Sequence, residues 1–151
     1  RHHELIDLVK PAADKYQQQL AANQADHPDT LAARQAFAVV LRKQRRNSAA
    51  AYHLTAVHDA RQRLLPADAL ETQLCRLELG TTRVQQKQYA KAEPLLRRAY
   101  ANLKKHESKN AAEAKVHVVE ALERFVQLYD GWGKKDKADE WRSKLAEQKK
   151  Q

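Results

Sequence analysis

The chain has 151 residues, 42% of them hydrophobic and 31% charged, with a net charge of +9 when the histidines are neutral. That length suits one domain with a buried core, and the balance excludes both a membrane-embedded protein and a disordered one. Three glycines and four prolines are too few for sandwiches, barrels or phosphate-cradling loops, which need glycine at positive φ. Alanine, leucine, glutamine, lysine and arginine dominate, and all are good helix formers, so the chain is read as all-α. No apolar run approaches the roughly 18 residues of a spanning helix, and no secretory signal is read. Cys75 stands alone, which excludes an intramolecular disulfide and favours a reducing compartment, so a cytoplasmic setting is expected. Methionine is absent even at position 1, which predicts a piece cut from a longer protein, with His2 and His3 as the remnant of a purification tag.

Residues 5–24 place Leu5, Leu8, Val9, Ala12, Ala13, Tyr16 and Leu20 at helical spacing. Pro11 then belongs to a first turn capped by Asp7, or marks a break. Beyond this opening helix, Asp26, Asp68 and Asn110 recur at 42-residue intervals, each followed three places on by an acid: Asp29, Glu71 and Glu113. A cap followed by a carboxylate at the third helical position marks a helix start. Three starts at one period predict one unit laid down three times, over 26–67, 68–109 and 110–151, after a leading segment 1–25. In the first unit a helix is expected from Pro28 to Gln44, burying Leu31, Phe37, Ala38 and Leu41. A second helix follows, capped by Asn47 or Ser48 and carrying Ala50, Leu54, Val57 and Leu64. The second unit repeats the plan over Leu70–Gln86 and Tyr89–Lys105, with small residues at 38/80 and 50/92 where paired helices approach closely. In the third unit Ala138 lies 46 residues after Ala92, so the helix over Ala111–Gly131 is predicted to be longer by about one turn. A last helix is expected over Lys135–Gln148. The sum is about seven helices, three antiparallel pairs after a leading one.

No constellation of catalytic type emerges. His53 and His58 are five apart and point in different directions. Glu113 and His117 share a face without a third ligand, so a surface ion pair is expected rather than a metal site. Cys75 reads as a small buried hydrophobe, and Trp132 and Trp141 as the seal of the last unit's core. Basic residues recur where first helices meet second ones: Arg42, Lys43, Arg45 and Arg46; then Arg83, Lys87 and Lys91; then Lys134, Lys135 and Lys137. Cations at helix C-termini complement the macrodipole and are ordinary there. Stacked units would also align them along one edge able to bind acidic protein or phosphate groups.

The segment Tyr89-Ala90-Lys91-Ala92-Glu93-Pro94-Leu95-Leu96-Arg97-Arg98-Ala99, and His27-Pro28-Asp29-Thr30-Leu31 at a unit start, resemble tetratricopeptide repeats of the 42-residue kind found in kinesin light chains. In the first unit Arg45 takes the place of the turn glycine. The resemblance implies a right-handed α-solenoid whose first helices line a concave groove for an extended peptide. It further implies that the groove is lined by Ala32, Gln35, Val39, Arg42 and Lys43, then Leu74, Leu77, Thr81, Val84 and Gln85, then Val116, Val119 and Glu123. The asparagine column that grips peptide backbones in that family is here Ala36, Glu78 and Glu120. The ending Leu128-Tyr129-Asp130-Gly131-Trp132-Gly133-Lys134-Lys135, with Ala138 and Trp141-Arg142, is similar to the C-termini of bacterial serine/threonine protein kinases that carry such repeats. No Gly-rich phosphate loop or His-Arg-Asp loop accompanies it.

The expectation from sequence is therefore a protein-interaction module, a scaffold within a bacterial signalling protein and not an enzyme, needing no cofactor or metal. It would bind a protein or peptide of acidic character in its groove. The alternatives are nucleic-acid or acidic-partner binding along the basic edge at Arg45, Arg46, Lys87, Lys91, Lys134 and Lys135, and homo-oligomerisation. Acids interleaved among the cations disfavour nucleic acid, and no membrane is implied.

Overall fold

A computed structural model describes the backbone of residues 2–109 and 111–151 and the side chains of 8–109 and 112–151. Among these the chain is all-helical: α1 His2–Ala22, α2 Pro28–Lys43, α3 Asn47–Leu64, α4 Leu70–Gln85, α5 Tyr89–Lys109, α6 Ala111–Gly131 and α7 Lys135–Lys149. They form two compact units, Arg1–Leu64 and Leu65–Gln151.

In the first unit α2 packs on both α1 and α3. Leu31, Ala38 and Leu41 of α2 meet Ala50, Leu54 and Val57 of α3 in a core whose members are at most 4% exposed. Pro11 neither begins nor breaks α1, contrary to expectation; it lies inside the helix. A proline removes one intrahelical bond, and packing along α2 outweighs that local cost, as tertiary contacts commonly do. The cap read at Asp7 and the side chains of Leu5, His2 and His3 lie outside the described side chains.

Asp26 and Asp68 do not cap their helices. They occupy equivalent turns, closed by His27 N–H to Gln24 O at 3.1 Å and by Ala69 N–H to Pro66 O at 3.0 Å. Proline at the first helical position of α2 makes His27 the cap, and its Nδ1 accepts from Asp29 N–H at 3.1 Å. Asp26 instead pairs with Arg63 of α3 at 2.8 Å. The α4 cap is Ala69, which offers no side-chain acceptor. The period was real, but it marked a turn one step before the helix; asparagine 110, its third member, lies outside the described residues.

The second unit holds four helices, with α4 against α5 and α6, and α6 against α5 and α7. Its core runs from Leu77 through Ala92, Leu96, Ala99 and Leu103 to Val118, Leu122, Phe125 and Tyr129, and is closed by Ala138 and Trp141. Trp141 stacks on Phe125 with centroids 3.9 Å apart, and Tyr100 meets both rings edge-on, an arrangement that suits the ring quadrupoles. The longer third first-helix is present: α6 has 21 residues, whereas α2 and α4 have 16 each. Helix α5 runs a turn beyond the expected Lys105, because its end has partners elsewhere in the unit. His106 Nε2 donates to the Asp68 carbonyl at 2.6 Å, Lys104 pairs with Glu107 at 2.7 Å, and Gln148 of α7 donates to Glu107.

Three short turns join α2 to α3, α4 to α5 and α6 to α7, and all three are built alike. Arg45, Lys87 and Gly133 have φ of 63°, 60° and 76°. Arg46, Gln88 and Lys134 donate their N–H groups to Leu41, Arg83 and Tyr129, five residues back, at 2.8–2.9 Å. Arg45, Lys87 and Gly133 themselves bond to Arg42, Val84 and Asp130, three residues back. This is the Schellman ending, in which one left-handed residue lets the last helical carbonyls find donors. Only Gly133 adopts that backbone without a steric cost.

Gly80 marks a close contact between α4 and α5. A β-carbon there would stand 2.7 Å from Leu96 Cδ2 and 3.0 Å from Leu96 Cγ, and Leu96 is fully buried. Gly80→Ala is expected to lower stability by about 1–3 kcal/mol through overpacking, read as a shift in the urea midpoint. Arg45→Gly and Lys87→Gly should each raise stability by about 1 kcal/mol, and Gly133→Ala should lower it by a similar amount. Thermal melts of the three variants check the sign at each turn.

Candidate interaction site

The residues implied as a groove fall into two classes. In the second unit, Leu77 is 2% and Thr81 4% exposed. Leu77 belongs to the core, and Thr81 Oγ1 donates back to the Leu77 carbonyl at 2.8 Å. Neither lines a surface. Helix α4 is covered on two sides, by α5 and α6, so a wider arc of it is buried than one hairpin alone would bury. Val84 is half-buried against the same core, and Gln85 is half-buried. Leu74 and Val119 are half-buried, Val116 is 66% exposed and Glu123 is exposed. Of the apolar residues implied on the first helices of this unit, Val116 is therefore exposed, and Leu74, Val84 and Val119 keep part of their surface.

In the first unit Ala32 and Lys43 are exposed and Val39 is half-buried. Gln35 accepts a hydrogen bond from Arg61 of α3. Arg42 is buried, at 8% exposure, and so is not the free cation that the resemblance implied at the groove mouth. Of the column Ala36, Glu78 and Glu120, the last is held by His117 at 3.2 Å and Arg124 at 3.9 Å. His117 thus pairs with Glu120, not with Glu113 as expected, since three residues on is as close around a helix as four back.

The cations expected along a basic edge divide between the units, two in the first and four in the second. Arg45, Arg46, Lys87, Lys91, Lys134 and Lys135 are all exposed, and none forms an ion pair among the described residues. In the second unit one of them, Lys134, lies against an aromatic stack. Tyr89, the first residue of α5, stacks on Trp132 of the α6–α7 turn with centroids 5.9 Å apart, and Tyr129 lies parallel to Trp132 at 6.3 Å. Lys134 Nζ sits 3.6 Å from the Trp132 centroid, a cation–π contact. Beneath the stack Tyr129 donates its hydroxyl to Glu93, and Arg97 reaches the same hydroxyl at 3.1 Å. Burial, then the Glu93 bond, pushes the Tyr129 phenol up to about 12, while the Tyr129 hydroxyl bond holds the Glu93 carboxyl below its ordinary value. Tyr129 is therefore a neutral donor and Glu93 a charged acceptor at physiological pH.

Sequence reasoning missed a second aromatic cluster, in the first unit. Phe37 of α2 packs 5.1 Å from His53 of α3 and 6.2 Å from Tyr16 of α1, and Tyr52 meets His53 edge-on at 5.2 Å. Arg34 lies 5.6 Å from the rings of both Tyr16 and Tyr52 and donates its Nε–H to His53 Nδ1 at 3.0 Å. His53 therefore carries its proton on Nε2. The spacing of Arg34 and Phe37 put them on one helix face, but nothing in the sequence tied them to His53.

Cys75 is fully buried, in line with its reading as a core residue. Among the described residues no group of three or more His, Cys, Asp or Glu side chains could hold a metal ion, and no helix is long and apolar enough to cross a membrane. No protein-family model matches the chain, and no curated protein matches its sequence.

Burial, with Arg34 adding to it, pulls the His53 imidazole below its ordinary value. The neutral ring is the form the fold holds, so its stabilising contribution is present above the unfolded value near 6.5 and is lost as pH falls through the lowered folded value. Urea midpoints at pH 8 and pH 5 should show a drop on acidification that is smaller in His53→Gln than in the unaltered chain.

Proposed function

We propose that this chain is a protein-interaction scaffold, a right-handed α-solenoid of antiparallel helix pairs of the tetratricopeptide type, which binds and does not catalyse. The observation that carries the reading is the contact of α4 with α6. In this reading these are the first helices of successive hairpins, and direct packing between them is what a stacked repeat with first helices on one face requires. Three identical turn closures at Arg45, Lys87 and Gly133 support the same repeat. A three-residue connection between two packed helices favours an antiparallel pair.

On the shared face Leu74, Val116 and Val119 give an apolar strip, and the net charge of +9 draws partners of opposite sign. The occupant that suits both is an extended protein segment with apolar anchors and acidic flanks. The setting that fits is a larger signalling protein of bacterial type, in the cytoplasm, with the repeats recruiting or assembling partners. Free lysine and arginine ends suit side-chain carboxylates, while the first-helix column Ala36, Glu78 and Glu120 lacks the amide groups that would grip a peptide backbone.

Selection of a random peptide library on the purified chain tests this. Peptides enriched in both aliphatic and acidic residues are expected, and Val116→Glu with Val119→Glu should weaken them at least tenfold without changing the melting temperature. Failure to enrich any sequence, or indifference of the enriched peptides to both changes, would sink the proposal.

A further inference from the structure

The turn edge of the second unit is a cationic surface assembled by stacked rings, separate from the apolar strip on the first helices. The Tyr89–Trp132 stack brings the α4–α5 turn beside the α6–α7 turn. Gly131 sits so close under Tyr89 that a β-carbon there would stand 3.1 Å from its ring. Lys87 belongs to the first of these turns and Lys91 to the first turn of α5 that follows it, while Lys134 belongs to the second turn and Lys135 opens α7. All four are exposed and without ion pairs among the described residues.

The acids that could neutralise them are committed elsewhere. Glu93 is held by Tyr129 and Arg97, and Arg142 takes both Asp130 and Asp139. Asp136, in the first turn of α7, is exposed beside Lys134, Lys135 and Lys137. Lys87 is also carried at φ 60°, where the equivalent turn of the third hairpin has glycine. A cation is thus kept at a position whose backbone favours a residue with no side chain.

From this arrangement we infer that the edge formed by Lys87, Lys91, Lys134 and Lys135 is a docking surface for a second, acidic protein segment. Charge complementarity selects the sign of the partner, and the rings select its class. The Trp132 face is covered by Lys134 at 3.6 Å and its ring is stacked on Tyr89, so no open aromatic face is offered to a base. A continuous phosphate backbone would also meet Asp136, whereas a protein segment places its carboxylates discretely around it. Carboxylates arriving at Lys134 would draw the ammonium off the indole, which makes Trp132 a built-in reporter. Trp141, 7% exposed in the core, would not respond.

The test is a fluorescence titration of the full chain with an oligo-glutamate peptide, alongside oligo-thymidine and a random-sequence duplex. The expected result is saturable change in Trp132 emission with oligo-glutamate, abolished in Trp132→Phe, with affinity falling at least tenfold between low and moderately high salt as exposed charges are screened. The combined change Lys87→Gln, Lys134→Gln and Lys135→Gln should weaken binding at least tenfold at an unchanged melting temperature, and Lys134→Arg should retain it. Silence with oligo-glutamate, insensitivity to the triple change, or tighter binding of either nucleic acid through the same lysines would overturn the inference. Val116→Glu with Val119→Glu should leave this binding intact, and peptides selected on the first-helix face should survive the triple lysine change. The two surfaces therefore fail independently.

Discussion

A three-residue connection between two packed helices, closed as these are, puts one residue in the left-handed region, and the packing within each unit depends on that backbone constraint. The helix has to stop, its last carbonyls have to find donors, and the chain has to reverse within a few ångströms. Arg45, Lys87 and Gly133 are the residues that do this. In the second unit α5 packs on α4 where Gly80 meets Leu96, and in the first unit α2 and α3 each bury an alanine completely, Ala38 and Ala50. The same turns leave Arg45, Arg46, Lys87 and Lys134 at the surface, while Gln44, Gln86 and Gln88 beside them are half-buried.

Where two such turns lie in one packed unit, their neighbours touch. Tyr89 and Trp132 belong to different hairpins, yet they stack, and Tyr129 ties that stack to Glu93 and Arg97 below it. Buried aromatic packing at Phe125 and Trp141 holds the lower layer, so the upper rings rest on a rigid floor. The first unit uses a different device. Arg34, held between Tyr16 and Tyr52 and bonded to His53, joins α1, α2 and α3 through rings and a guanidinium. Each unit thus ties its rings to a titratable side chain, His53 in the first and Glu93 in the second.

Much of the helical layout was legible because helix periodicity and turn residues are local signals. The starts at Pro28, Leu70 and Tyr89, the extra turn of α6 and the small residues of the hairpin contacts could all be read from spacing. Errors arose where one local pattern fits two geometries. Asp26 and Asp68 repeat faithfully but serve a turn before the helix, since proline and leucine at the next positions already set the helix start. Pro11 looked like a boundary because sequence spacing carries no measure of the packing that holds α1 through it.

The surface residues were harder to read. Columns taken from repeat register assigned Leu77, Thr81 and Arg42 to an open groove, and all three are buried. Register says which side of a helix a residue occupies, but only the number of neighbouring helices says how much of that side is covered. By itself, the sequence determined the helical class, the period and the excess of positive charge, because each depends on residue type and spacing along one strand of chain. The tertiary structure decided which cations stay free, which rings stack and which apolar side chains remain at the surface. Those depend on residues far apart in sequence competing for the same partners in space.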